Sequence, residues 1–180
     1  MNRAIQLGLC LALLPGWAEA ETRRFDFEVK RNGRPIGSHI VTVEKKGEET
    51  QVQVALDLAV TFGPFTLYRY THRSAERWLR DRLQFVEATT DDDGTKYALR
   101  AWAAGGKVDL DGPGGRQTGT AETMPSSYWN PRLRQAATWI ETHWGELQPI
   151  RIAKGEPVTL NLPGRTVKAI PHTKIGRAHV

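Results

Sequence analysis

Two stretches of the chain hold side chains whose types and spacing could do chemistry. In LYRYTHRSAERW, Tyr68, Tyr70, His72, Ser74, Glu76 and Trp78 occupy alternate positions. They therefore project from one face if the segment is an extended strand. A histidine base oriented by a carboxylate would need His72 to touch Glu76. Four residues of strand hold them about 13 Å apart, and His72 and Ser74 about 7 Å apart. Neither pair is a dyad along a continuous strand. The row reads as a polar and aromatic wall lining a groove, or as a sheet face knitted by cross-strand pairs.

The second stretch is MPSSYWNPRL, residues 124–133. Ser126 or Ser127 could serve as a nucleophile, but no G-x-S-x-G elbow surrounds them and no base lies nearby in sequence. A hydrolase-like site would need Ser127 and His72 brought together across strands. The structural alternative has Tyr128 and Trp129 folding inward to close an open barrel end, with Asn130 or a serine capping the next turn. A ligand contact at that barrel mouth is the third reading. The candidate lining residues are Tyr68, Tyr70, His72, Trp78, Tyr128 and Trp129.

Other signals exclude more than they assert. Asp91-Asp92-Asp93-Gly94 lacks the alternating acidic spacing and closing glutamate of an EF-hand loop, and reads as a hairpin turn. The histidines at 39, 72, 143, 172 and 179 show no ligand spacing, so no metal and no cofactor is expected. Basic residues are interspersed with acidic ones, which disfavours nucleic acid as a partner. The net charge of +5 leaves weak attraction to an anionic envelope surface open. The tryptophans at 78, 102, 129, 139 and 144 either build the core or line a pocket for an apolar or glycan ligand.

Hydrophobic alternation of period two runs through most of the chain. Strands are expected at Phe25 to Val29, Ser38 to Val43, Gln51 to Thr61, Phe65 to Trp78, Leu83 to Thr90 and Tyr97 to Ala103. Shorter ones follow at Lys107 to Leu110 and Arg116 to Glu122, then from Trp139 to Ile170. Asn32-Gly33 marks a tight hairpin. One short helix is expected near Pro131 to Ala137, with Asn130 as its cap. Strands at this spacing imply an all-β antiparallel meander curled into a half-open barrel.

The first 20 residues have the form of a secretory signal: Arg3, an apolar run from Ala4 to Leu14, and Ala18-Glu19-Ala20 as cleavage site. That run is shorter than a spanning helix requires, so no transmembrane segment is expected after cleavage. The product is expected in the periplasm or outside the cell. It would have no disulfide, because Cys10 is the only cysteine and leaves with the signal. Residues 21–173 form one domain on this reading. Lys174 to Val180 can be reverse-translated to reproduce a common sequencing adapter, so this tail is expected to be foreign and the domain's last strands to be missing.

The ordered blocks FDFEVKRNGRPIGSH, YRYTHRSAERW, TTDDDGTKYALRA and MPSSYWNPRL resemble an uncharacterised secreted bacterial family, a domain of unknown function numbered six-one-three-four. The resemblance spans about Phe25 to Ile170 and implies no activity or catalytic residue. The layout is also similar, more loosely, to curled-sheet periplasmic carriers of lipoproteins or lipids. The combined expectation is a non-catalytic protein for binding or envelope maintenance, holding a lipid or other amphiphile against a concave sheet face. A hydrolase-like enzyme and a purely structural interaction module are the alternatives.

Overall fold

The computed structural model describes residues 20–175. The expected signal segment and most of the expected foreign tail lie outside them. Eight strands follow one another in a single antiparallel sheet: β1 Glu21–Arg31, β2 Arg34–Lys46, β3 Glu49–Phe62, β4 Phe65–Leu79, β5 Arg82–Asp92, β6 Thr95–Ala104, β7 Lys107–Gly112 and β8 Gly115–Thr120. Their spatial order is their chain order. Each expected strand from Phe25 to Leu110 is present, longer at one or both ends where hairpins continue the pairing, while the one expected at Arg116 to Glu122 runs Gly115–Thr120 and stops two residues short. Asn32 and Gly33 both take positive φ, as the tight turn between β1 and β2 demands.

The barrel expectation is overturned. β1 pairs only with β2 and β8 only with β7, so the sheet is open at both edges and is not curled round on itself. Alternating strands need one face covered, and closure is only one way to cover it. Here the returning chain supplies a second layer. β9 Met124–Pro125, a 3-10 helix at Pro131–Gln135, β10 Thr138–Glu141 and β11 Glu146–Pro149 form it, with the three strands ordered β11-β10-β9. Asn130 caps the 3-10 helix, its side chain accepting from the Arg132 N–H at 2.9 Å.

The core lies between the layers. Val41, Val52, Val54, Trp78, Val86, Leu99, Ala101, Val108 and Leu110 from the sheet meet Met124, Leu133, Ala136, Trp139 and Ile140 from the second layer. Burying a Val, Leu or Ile side chain of this kind contributes about 1.5–3 kcal/mol. Two further pairs stand apart: β12 Arg151–Lys154 with β15 His172–Ile175, and β13 Val158–Leu162 with β14 Arg165–Ala169. Lys174 on β15 reaches Glu141 on β10 at 3.2 Å. No helix among the described residues is long and apolar enough to cross a membrane.

The layers touch backbone to backbone at Gly112 and Gly145, where a Cβ on Gly112 would sit 2.5 Å from the Gly145 carbonyl oxygen. Gly112→Ala should therefore lower unfolding stability in urea by about 1–3 kcal/mol, the usual range for overpacking. Gly114→Ala, two residues on and 3.5 Å from its nearest neighbour, should leave stability nearly unchanged.

Candidate functional site

β4 is the centre of the site. Tyr70, His72, Ser74, Glu76 and Trp78 all point under the second layer and all are buried, as their shared parity predicts. Glu76 is wholly enclosed, and its Oε2 accepts the indole N–H of Trp78 at 2.8 Å and that of Trp129 at 2.9 Å. Burial pushes its carboxyl above the usual range, while the two indoles and the nearby Ser127 hydroxyl oppose the shift. Its other oxygen, Oε1, has no partner at hydrogen-bonding geometry. The two indoles meet edge to face, 5.4 Å between ring centroids.

Toward the other end of β4, histidines gather. His72 stacks on His143 at 4.1 Å, and its Nδ1 pairs with the Thr90 hydroxyl at 2.9 Å. Nδ1 of His143 takes a short hydrogen bond from the Tyr70 hydroxyl. Burial, together with the neighbouring His143 and His39, pulls His72 down to about 3. Burial lowers His39 as well, and it outweighs Glu141 in lowering His143. All three imidazoles are therefore neutral in the folded protein near pH 7.

The serine loop lies over this row. Ser126 is fully engaged: its Oγ donates to Glu141 at 3.0 Å and accepts the Thr142 N–H at 3.1 Å. Ser127 instead faces the Glu76 carboxyl. Tyr128 follows with φ of 61°, a left-handed conformation uncommon for a bulky side chain, which turns its ring outward while Trp129 goes in. Tyr128 does not plug a barrel end: there is none, and the ring is 64% exposed. It rests edge-on against Trp139.

Two adjoining hollows result. A chamber of about 270 Å³ is lined by His39, His72, Ser74, Ser126, Ser127, Thr142 and His143 together with Val54, Leu56 and Tyr128, so that most of its exposed lining is apolar. The buried Ser74 hydroxyl, part of that lining, has no hydrogen-bond partner. A second, apolar hollow of about 470 Å³ opens at the β1 edge between Phe25, Phe27, Val41, Tyr128 and Trp129. His39, Ser127 and Tyr128 border both. A larger hollow of about 940 Å³ crosses the opposite sheet face, but its walls are shallow and its arginines face acids, Arg73 against Asp57 at 2.7 Å and Arg24 against Asp26 at 2.8 Å.

Of the residues singled out in sequence, the structure brings His72, Ser127 and Tyr128 to the chamber, and Trp129 to the apolar mouth. Tyr70 adjoins them through His143. Tyr68 lies outside, its hydroxyl donating to Asp92 at 2.5 Å, which raises its pKa to about 12. Trp78 is core, 2% exposed. His72 and Ser127 share the chamber, yet the imidazole bonds Thr90 and the hydroxyl faces Glu76, so no base-and-nucleophile contact joins them. His39, Thr90 and His143 belong to the site and were not picked out in sequence. The parity of His39 with Val41 and Val43 was the available signal for one of them. No cluster of three metal-ligating side chains occurs among the described residues.

Fold and site together define a two-layer all-β protein with an apolar cleft beside a chamber that histidines and serines border. The chain belongs to the family described as a domain of unknown function, DUF6134, whose model matches residues 27–174. No curated protein and no solved structure matches it. The expected likeness to curled-sheet lipid carriers accordingly has no known structure behind it.

A pH consequence follows from the neutral histidines. Groups with folded pKa below the unfolded value contribute stability above pH 6.5 and lose it as pH falls. For His72 alone the loss between pH 6.5 and pH 5 is about 2 kcal/mol. Glu76 acts in the opposite sense, contributing below the ordinary carboxyl range and losing that contribution as pH rises through its higher folded value. His72→Asn should therefore lose less melting temperature than the parent protein on acidification from pH 6.5 to pH 5 in a calorimetric pH series.

Proposed function

We propose that this is an exported, periplasmic, non-catalytic binding protein for a small amphiphile. The observation that carries the reading is that the two hollows adjoin, sharing His39, Ser127 and Tyr128 as lining. Phe25, Phe27, Tyr128 and Trp129 offer an apolar mouth, and behind it the unpartnered Ser74 hydroxyl and three neutral imidazoles offer hydrogen bonds to a polar end. Ligand sites commonly combine aromatic walls with a few placed polar groups. Phe25 and Phe27 are 44% and 51% exposed, on a sheet edge that otherwise carries charge. An amphiphile would cover them while leaving the core undisturbed.

The site lies between the sheet and the second layer, in place of the concave face first expected. Weak attraction of the basic chain to an anionic envelope surface belongs to the same reading. The chemistry disfavours a hydrolase. A histidine with so low a proton affinity is a poor general base near neutral pH, and its Nδ1 is engaged by Thr90 with no carboxylate to orient it.

The test is native mass spectrometry of protein purified from the periplasm, followed by titration with dodecanoate and with dodecylphosphocholine. A co-purifying or titratable amphiphile is expected, with affinity falling roughly tenfold or more in Phe27→Ser and Tyr128→Ala, the loss of one well-packed aromatic contact. A clean mass and no binding of either probe would sink the reading. Turnover of a p-nitrophenyl ester abolished in Ser127→Ala would replace it with the hydrolase.

A further inference from the structure

The longest hairpin of the sheet outruns both its neighbours. Pairing of β2 with β3 stops at Gly37 and Leu58, and pairing of β4 with β5 begins only at Tyr70 and Asp92. Between those limits β3 and β4 continue together to Phe62 and Phe65, paired with nothing but each other. A two-stranded ribbon exposed on both sides is marginal in water unless something else holds it. Its end carries the two most exposed large hydrophobic side chains among the described residues, Phe62 at 75% and Phe65 at 67%, with Leu67 at 62%, around the Gly63-Pro64 turn. Charged or polar residues would ordinarily occupy such a tip.

The charges around the tip are sorted. On the β2 side, the β1–β2 turn places Arg34 three residues beyond the last β2–β3 pair, while Phe62 stands four beyond it. On the β5 side, Asp93 stands only one residue past the β4–β5 pair that Phe65 passes by five. The basic turn therefore reaches forward with the aromatic tip, and the acidic turn is set back. Asp92 accepts from Tyr68, and Asp93 accepts the Arg69 N–H at 3.2 Å. Arg31, Arg34 and Arg69 enter no ion pair among the described residues.

We infer that the β3–β4 tip docks on an anionic lipid bilayer, Phe62, Phe65 and Leu67 entering the headgroup boundary while Arg31, Arg34 and Arg69 face the lipid phosphates. Aromatic and aliphatic side chains on a narrow projection suit that depth, and basic residues beside it gain from the negative surface potential. The same arginines argue against a second copy as occupant, because joining two tips would bring like charges together. This surface is separate from the cleft and stands whether or not the cleft binds an amphiphile.

The experiment uses the full chain in a Cys10→Ser background, carrying an environment-sensitive nitrobenzoxadiazole label at Phe65→Cys or, as a control, at Lys46→Cys beside the β2–β3 turn at the opposite end of the sheet. Vesicles of phosphatidylcholine, with and without phosphatidylglycerol, are the probe. A blue shift at position 65 and none at 46, confined to anionic vesicles, is expected. Partitioning should fall roughly tenfold or more in Phe62→Ser/Phe65→Ser/Leu67→Ser, and severalfold in Arg31→Gln/Arg34→Gln, at unchanged melting temperature. No shift at position 65, equal shifts on neutral vesicles, or a sedimenting dimer that the triple serine variant abolishes would each overturn the inference.

Discussion

The Glu76 carboxyl, enclosed at the centre of the sheet and held by two indole N–H groups, is the interaction on which the architecture turns. One indole belongs to the same strand and the other arrives from the second layer. A buried carboxyl without donors costs several kcal/mol, so the sheet by itself would leave this position hydrated. Bringing Trp129 over it satisfies the oxygen, seals the Trp78 ring and fixes where the serine loop can run. The apolar core supplies most of the stabilisation. The carboxyl helps to set the register, since a small shift of the overlying chain would take away the Trp129 donor and leave only Trp78.

That register makes the site. Trp129 goes inward to reach Glu76, Tyr128 turns outward through a left-handed residue, and Ser127 is left between them at the boundary of the two hollows. Ser126 anchors the other side of the loop through Glu141 and Thr142. The chamber is thus a gap left between two layers joined by polar contacts, and its histidines are neutral because burial there leaves the charged form unsolvated.

Much of the sheet was legible because period-two alternation is a local property. Val52, Val54, Leu56 and Leu58 announce both a strand and its inward face, and Asn32-Gly33 announces its turn. Closure was not legible. An amphipathic sheet asks only that one face be covered, and nothing local in Trp139 or Ile140 says whether β8 returns to β1 or a second layer comes over the top. In the site, the inward row on β4 followed from parity, whereas its partners did not. His143 meets His72 across 71 residues of chain, and Trp129 meets Glu76 across 53, contacts that depend on how the layers dock. Tyr68 shared the parity but lies beyond the covered part of the strand, where the same alternation leads to solvent.

The separation between Glu76 and Trp129 also orders the way the molecule assembles. The meander pairs neighbour with neighbour, so its contacts close short loops and can form early. The second layer can dock only on a sheet already in register, and until it does, the Glu76 carboxyl stands in water with an ordinary affinity for protons. Docking removes that water and raises the affinity, while the histidines toward the other end of β4 are driven to release theirs. Closure of the two layers is therefore a proton-exchange step as well as a packing step, and its equilibrium depends on the pH at which the chain folds.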